Sequence, residues 1–106
     1  MPPEAMFERI SPGGVSATLA MSPDEQTLYA SDVRTGKDHY GLPSHVVYRF
    51  TWKDAEPKPF LGGKDAAGEL ALDDPKGICT DRDGNLFVAD KGHDRVAVFR
   101  PDGSLL

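Results

Sequence analysis

The chain has 106 residues and a formal net charge of −5, with 39% hydrophobic and 27% charged residues. A chain of this length holds at most one hydrophobic core. The acidic balance supplies no basic stripe to neutralise phosphates, so nucleic acid is not an expected partner. No apolar run of about 18 residues could span a bilayer, and no secretory signal opens the chain, which favours a soluble protein without a membrane partner.

Residue usage narrows the fold class further. The 11 glycines and 9 prolines indicate many turns and favour short strands over long helices. The single cysteine, Cys79, excludes an internal disulfide bond and a cysteine metal cluster. Its neighbours in "GICTD" predict a small, buried apolar residue.

Short runs of β-branched and aromatic residues, bounded by Asp, Gly, Pro and Lys, predict strands along the whole chain. In chain order the predicted strands cover residues 6–10, 17–22, 27–32, 46–51, 58–61, 76–80, 85–90 and 95–100, and a last one begins at Ser104. The best helical candidate, 63–74, is interrupted by Gly68, so we interpret it as a loop with room for one helical turn.

Two consecutive stretches of the chain share one design. When residues 17–32 are laid over 75–90 without a gap, "SPDEQTLYASD" meets "TDRDGNLFVAD" and Tyr29 falls on Phe87. With an insertion of nine residues in the following loop, "VYRF" of the first stretch falls on "VAVF" of the second. The match is by residue class and indicates two repeated units.

The strand runs "LFVA" and "VAVF" are apolar at every position, whereas a sheet with one wet face alternates apolar and polar residues. The pattern predicts cover on both faces of the sheet. Four-stranded antiparallel sheets stacked as blades around an axis provide that cover. We therefore predict an all-β chain of β-propeller blades.

The stretch "DPKGICTDRDGNLFVADKGHDRVAVFRPDG" resembles an NHL repeat, a β-propeller blade, and "SPDEQTLYASD" resembles part of the SMP-30 and gluconolactonase-like propellers. The resemblance implies a ring of about six blades, of which this chain supplies two. Residues 1–14 are then the closing strand of a preceding blade and a linker. The first blade is 15–62 with an inserted loop 33–46, an inter-blade loop follows at 63–74, and the second blade is 75–106 with a truncated last strand.

The polar residues of the repeated motif have structural explanations. Gly84 can adopt positive φ in the hairpin turn, and Asp81 is expected to cap that turn. Asp90 and Asp32 end their strands, where a carboxylate can accept backbone N–H groups of the next loop, and Arg95 is close enough to pair with Asp90.

Metal-dependent lactone hydrolysis is the enzymatic function that the resemblance implies, with a calcium-like ion held by Asn and Asp side chains at the axis. The matching positions here are Thr18 and Lys76, neither of which suits a cation. His39, His45 and His93 show no recognised metal spacing. We expect no catalytic residue and no metal ligand in this chain, and calcium only if the hydrolase alternative holds.

Ligand binding is predicted at the loops instead, because long loops on a rigid scaffold commonly carry binding surfaces. The candidates are Lys37, His39 and Tyr40 in the inserted loop, with Thr18, Lys76 and His93 near the axis and turns. The predicted function is a non-catalytic scaffold that binds a protein, peptide or carbohydrate. The alternative is part of a metal-dependent hydrolase whose ligands lie in blades absent from this chain.

Two blades leave an unpaired strand edge and a bare apolar face, which favour association. We therefore expect either a fragment of a longer propeller or several copies that complete a ring. The compartment stays open, since the resemblance would allow a periplasmic or secreted protein.

Overall fold

The computed structural model describes residues 18–31, 45–54, 58–63 and 66–106. The first antiparallel sheet contains, in order, β1 (Thr18–Met21), β2 (Thr27–Ser31), β3 (Val46–Thr51) and β4 (Lys58–Gly62). The second contains β5 (Pro75–Thr80), β6 (Leu86–Asp90) and β7 (Arg95–Phe99). The predicted all-β class is confirmed, and each of these strands begins and ends within one residue of its predicted bounds.

Helical structure in the described part of the chain is limited to two short 3₁₀ turns, Gly68–Leu70 and Lys91–His93. The first of them is the single turn expected between the sheets. No helix among the described residues has the length and apolarity that a membrane crossing requires. Where a last strand was predicted from Ser104, the structure has one isolated bridge, between Phe99 and Leu105. The predicted strand 6–10 lies outside the described residues.

The hairpin between β5 and β6 is closed by its own side chains. Asp81 Oδ1 accepts the backbone N–H groups of Asp83 and Asn85, each at 2.9 Å. Gly84 sits at φ +84°, a conformation that costs glycine little because it has no Cβ. The Asn85 amide also donates to Asp81 Oδ2 at 3.0 Å, and this bond leads the backbone N–H bonds in lowering the pKa of Asp81.

The corresponding turn between β1 and β2 is one residue longer. Its backbone closes from Ser22 N to Thr27 O at 2.9 Å, whereas the second turn closes from Asp81 N to Asn85 O at 3.1 Å. Glu25 occupies the left-handed region at φ 61°, where a non-glycine residue is uncommon. This first turn contains no glycine, and it has one residue more than the turn at Gly84.

One apolar layer joins the two sheets. The first sheet contributes Tyr29, Val47 and Leu61, which face Leu86 and other residues of β6 and β7. The complete buried set of this layer is Tyr29, Val47, Leu61, Leu72, Leu86, Val88, Ala97 and Phe99. Ring contacts extend it to the edge, where the centroids of Tyr29 and Phe60 are 5.6 Å apart.

The inner strands β1 and β5 lie side by side. At one end the Thr80 hydroxyl donates to Met21 O at 2.7 Å. At the other end the Ser31 hydroxyl donates to Lys76 O. These two bonds satisfy polar groups at both ends of the apolar layer and fix how the sheets are aligned.

Both faces of the first sheet are buried, whereas the second sheet is buried only on the face toward the first, which leaves the bare apolar face expected of two blades. Residues on both faces of β2 are buried, including Tyr29 on one face and Leu28 on the other. In the second sheet only the face toward the first sheet is buried, while Val96 on the opposite face is 64% exposed. Cys79 lies on that same outer face and is exposed, so its predicted burial is wrong.

The end of β4 generates a prediction about backbone conformation. Gly62 has φ +77°, and a Cβ there would overlap His45 O and approach the Leu72 side chain at 3.1 Å. We expect Gly62→Ala to lower the free energy of unfolding by about 2 kcal/mol or more, measured by urea denaturation.

Gly77→Ala is the matched control, since no atom lies within 4 Å of its added Cβ and its φ is not positive. That variant should unfold within about 0.5 kcal/mol of the wild type. Equal stability of the two variants would contradict this account of Gly62.

Candidate functional site

Three of the predicted ligand-binding residues lie at one end of the stacked sheets. We call the end that carries Ser31, Pro75 and Asp90 the upper end, and the end that carries Met21 and Thr80 the lower end. Thr18 and Lys76 are on the inner strands at the upper end, and His93 is in the turn after β6. Ser31 links the first two, because it pairs with Thr18 in the sheet and donates to Lys76 O.

Asp90 is the organising group of the upper end. It has no solvent-exposed surface, and both of its carboxylate oxygens are occupied. Oδ1 accepts the backbone N–H of Asp73 at 2.7 Å. Oδ2 accepts from His93 Nδ1 at 2.7 Å and from Arg95 Nε at 2.8 Å. The carboxylate therefore holds the β6–β7 turn and the inter-sheet segment together.

Arg95 extends this network to the inter-sheet segment. Its Nη2 donates to Glu69 O at 2.8 Å and to Ala71 O at 2.9 Å. A second hydrogen bond joins the β6–β7 turn to the inter-sheet segment, in which Gly92 N donates to Asp73 O at 2.7 Å. A side chain at Gly92 would overlap the Asp73 side chain, so this close approach requires glycine.

The surroundings of Asp90 act on its pKa in opposite directions. Burial raises the pKa, because it penalises the charged form. The hydrogen bonds from Asp73 N, Arg95 and His93 outweigh burial, so the pKa of Asp90 lies below its ordinary value of 3.8. The folded state thus stabilises the ionised carboxylate.

Lys76 lies beside an acidic segment at the upper end. Its Nζ is 3.2 Å from Asp74 Oδ1, and Lys91 Nζ is 4.0 Å from Asp74 Oδ2. The Asp74 backbone N–H donates to His45 Nδ1 at 2.9 Å, so that nitrogen is an acceptor. For this reason the approach of Asp73 Oδ1 to the same nitrogen, at 3.5 Å, is not an ion pair.

The donor set around Lys76 does not fit a divalent cation. The Lys76 ammonium would repel a metal ion and already neutralises one oxygen of Asp74. Thr18 offers a neutral hydroxyl, which cannot replace a carboxylate ligand. Within the described ranges, no group of three or more His, Cys, Asp or Glu side chains is arranged to hold a metal ion.

Two of the remaining residues singled out in the sequence lie at the lower end. Asp81 and Gly84 form the turn at the lower end, away from the network of Asp90 and Arg95. Lys37, His39, Tyr40 and Asp32 lie outside the described residues, so their assignments stay predictions.

Asp73, Asp74 and His45 also belong to the upper end, and none of them was predicted there. A signal was present, because "LDDPKG" places two carboxylates directly before the start of β5. Asp74 and His45 also adopt positive φ, at 54° and 64°. Such strained positions are uncommon for these residues and depend on the surrounding bonds.

Stacked antiparallel sheets whose first strands lie side by side define the chain as part of a β-propeller. The chain belongs to the SMP-30/Gluconolactonase/LRE-like family, whose model matches residues 6–106. A gluconolactonase from Xanthomonas campestris, described as important in glucose secondary metabolic pathways, matches with 34% identity and a TM-score of 0.53. That match covers 84% of this chain and 25% of the gluconolactonase.

Two further relatives are similar over smaller shares of their length. Protein lin-41 of Caenorhabditis elegans is 41% identical over 44 residues, which is 42% of this chain and 4% of that protein. The E3 ubiquitin-protein ligase TRIM71 of Rattus norvegicus is 29% identical over 90 residues, 85% of this chain and 9% of that protein. The chain thus spans less than a tenth of these relatives.

Asp90→Asn tests the network at the upper end. The asparagine oxygen accepts less strongly than a carboxylate oxygen. The asparagine NH₂ group would face an N–H donor where Asp90 has its second oxygen, so that hydrogen bond would be lost. We expect a loss of about 3 kcal/mol in the free energy of unfolding at neutral pH, measured by urea denaturation.

The difference between wild type and Asp90→Asn should depend on pH. Because the folded pKa of Asp90 is depressed, its stabilisation is fully present above the ordinary value of 3.8 and is lost as pH falls through the lower folded value. Asp94→Asn is the control, since Asp94 is exposed and at φ 53°, which asparagine tolerates. Parallel pH profiles for wild type and Asp90→Asn would refute the assignment.

Proposed function

We propose that this chain is a non-catalytic binding unit of a propeller and that its upper end and rim loops contact a protein, peptide or carbohydrate. The observation that carries this proposal is the state of the charged groups at the upper end. Lys76, at a position where the family resemblance implies a metal ligand, presents an ammonium 3.2 Å from Asp74 Oδ1. Both carboxylate oxygens of Asp90 accept hydrogen bonds that hold the structure together.

Exposed polar groups at the same end supply a contact surface. The Lys91 side chain is 68% exposed and the His93 side chain 43% exposed. Both belong to a turn that Asp90 and Arg95 hold in place, so the surface is built on a rigid base. Pre-organised loops of this kind reduce the entropy lost on binding.

Association with further blades, or with other copies of the chain, belongs to the same proposal. The outer face of the second sheet carries Phe87 beside Val98, and Ala89 beside Val96. Val96 on this face is 64% exposed. Burying such a face against another sheet would be favourable, because each square ångström of apolar surface removed from water contributes about 25 cal/mol.

The second candidate function is part of a metal-dependent hydrolase. The family match and the similarity to the Xanthomonas gluconolactonase favour it. In this case the metal ligands would lie in blades outside this chain, and the two sheets described here would serve as the wall of the ring. Because Lys76 occupies the matching position, β5 would then contribute no metal ligand at the axis.

Calcium addition separates the two functions when it is applied to the assembled ring, whose size is first established by sedimentation. We expect neither a Ca²⁺-dependent rise in Tm nor hydrolysis of glucono-δ-lactone. A site saturated to a hundred times its Kd would add about 2.7 kcal/mol, enough to raise Tm by about 5 °C. A rise of that size together with Ca²⁺-dependent lactone turnover would establish the hydrolase instead.

A glycan and peptide array tests the binding surface itself. We expect a retained ligand whose signal falls about tenfold with Lys91→Ala, because a charged hydrogen bond contributes about 1.5–3 kcal/mol. Lys53→Ala is the matched control, as Lys53 is exposed and follows β3 at the lower end. A loss with Lys53→Ala as large as with Lys91→Ala would contradict binding at the upper end.

A further inference from the structure

A cleft of about 390 Å³ opens between the two sheets at the lower end. Four segments surround it: the β1–β2 turn, the end of β3, and the two turns of the second sheet that contain Gly84 and Pro101. The floor is tight, since a Cβ on Gly84 would lie 3.2 Å from Pro101 and 3.9 Å from Pro23. Its volume is in the range of sites for small molecules. Both walls belong to this chain.

Two guanidinium groups line the cleft, one from each sheet. Arg49 lies on β3, and Arg82 lies in the β5–β6 turn. Arg49 Cζ is 4.4 Å from the centroid of the Phe60 ring, so stacking holds this guanidinium in place without using its N–H donors. In the described part of the chain, no carboxylate lies within ion-pair distance of either arginine. Their donors are thus available to a ligand.

The remaining polar groups of the cleft restrict what that ligand is. Asp24 Oδ1 accepts from the Ser22 hydroxyl at 2.6 Å and from Gln26 N at 3.0 Å, so this oxygen is engaged within its own turn. Asp83 is exposed at the mouth. Tyr29 forms an apolar wall of the cleft. Burial raises the pKa of its hydroxyl group, whereas Arg49 lowers that pKa and Asp24 raises it.

We propose that this cleft binds a small oxyanion-bearing molecule, with the carboxylate or phosphate group at Arg49 and Arg82. Guanidinium groups match both oxyanions through paired N–H donors. The apolar part of the ligand lies against Tyr29 and Pro101, and any hydroxyl group faces Asp83. The site is at the opposite end of the sheets from Lys76, so it does not depend on the function proposed for the upper end.

The test is a titration of the full chain, at constant ionic strength, with citrate in one arm and inorganic phosphate in the other. ¹H–¹⁵N NMR reports on Arg49 Nε–H and on the backbone N–H groups of Arg82 and Gly84. We expect saturable shifts at these groups in at least one arm, with a Kd below about 10 mM. The arm with the lower Kd identifies the carboxylate or the phosphate as the preferred group.

Arg82→Gln should weaken binding about tenfold, as expected for the loss of a charge-assisted hydrogen bond. Because Arg82 is exposed in a turn, this variant should fold, and its unchanged far-UV circular dichroism would verify that. Lys53→Gln is the charge-matched control, since it removes one positive charge outside the cleft. The proposal is overturned by absence of saturable shifts in both arms, or by an equal loss of affinity in Arg82→Gln and Lys53→Gln.

Discussion

The apolar layer between the two sheets is the constraint on which the rest of the structure depends. Tyr29 and Val47 of the first sheet meet Leu86 and Phe99 of the second, and none of them is accessible to water to any significant extent. Side chains packed at this density fix the separation and alignment of the backbones behind them. The upper end and the lower cleft therefore stand at set positions, because each is formed where the layer ends.

Leu72 couples this layer to the polar network above it. It is buried in the layer, yet it belongs to the segment whose carbonyl groups, at Glu69 and Ala71, accept from Arg95. Asp90 in turn orients Arg95 and accepts from Asp73 N. An apolar contact and a charged hydrogen-bond network thus hold the same segment from two sides. This explains why a fully buried carboxylate is tolerated: each of its oxygens has a donor.

The parts of the fold that depend on local chemistry were predictable from the sequence. Strand bounds follow from turn residues, as at Asp81 and Gly84, whose conformations are set by neighbours within four positions. The contact between Asp90 and Arg95 follows in the same way, since the two residues face each other across a short turn in the sheet register. These interactions require no knowledge of the other sheet.

Features that depend on the neighbouring sheet were not predictable in this way. An apolar run shows that a strand can be covered, and which face is covered depends on the stacking. Cys79 and Val96 share the outer face of the second sheet and are exposed for that reason. Arg49 and Arg82 are far apart in the sequence and line one cleft only because the sheets are stacked.

The equivalence of the two units bears on how the outer face is used. Tyr29 and Phe87 occupy matching positions in the repeat, and the face that carries Tyr29 is buried against the second sheet. If each unit receives its successor in the same way, the face that carries Phe87 and Val98 is the one to which another sheet would add. If each added sheet is related to the one before it by the same rotation, the sheets are arranged around one axis, as a closed ring requires. The inner strands β1 and β5, already joined through Thr80 and Met21, would then line that axis.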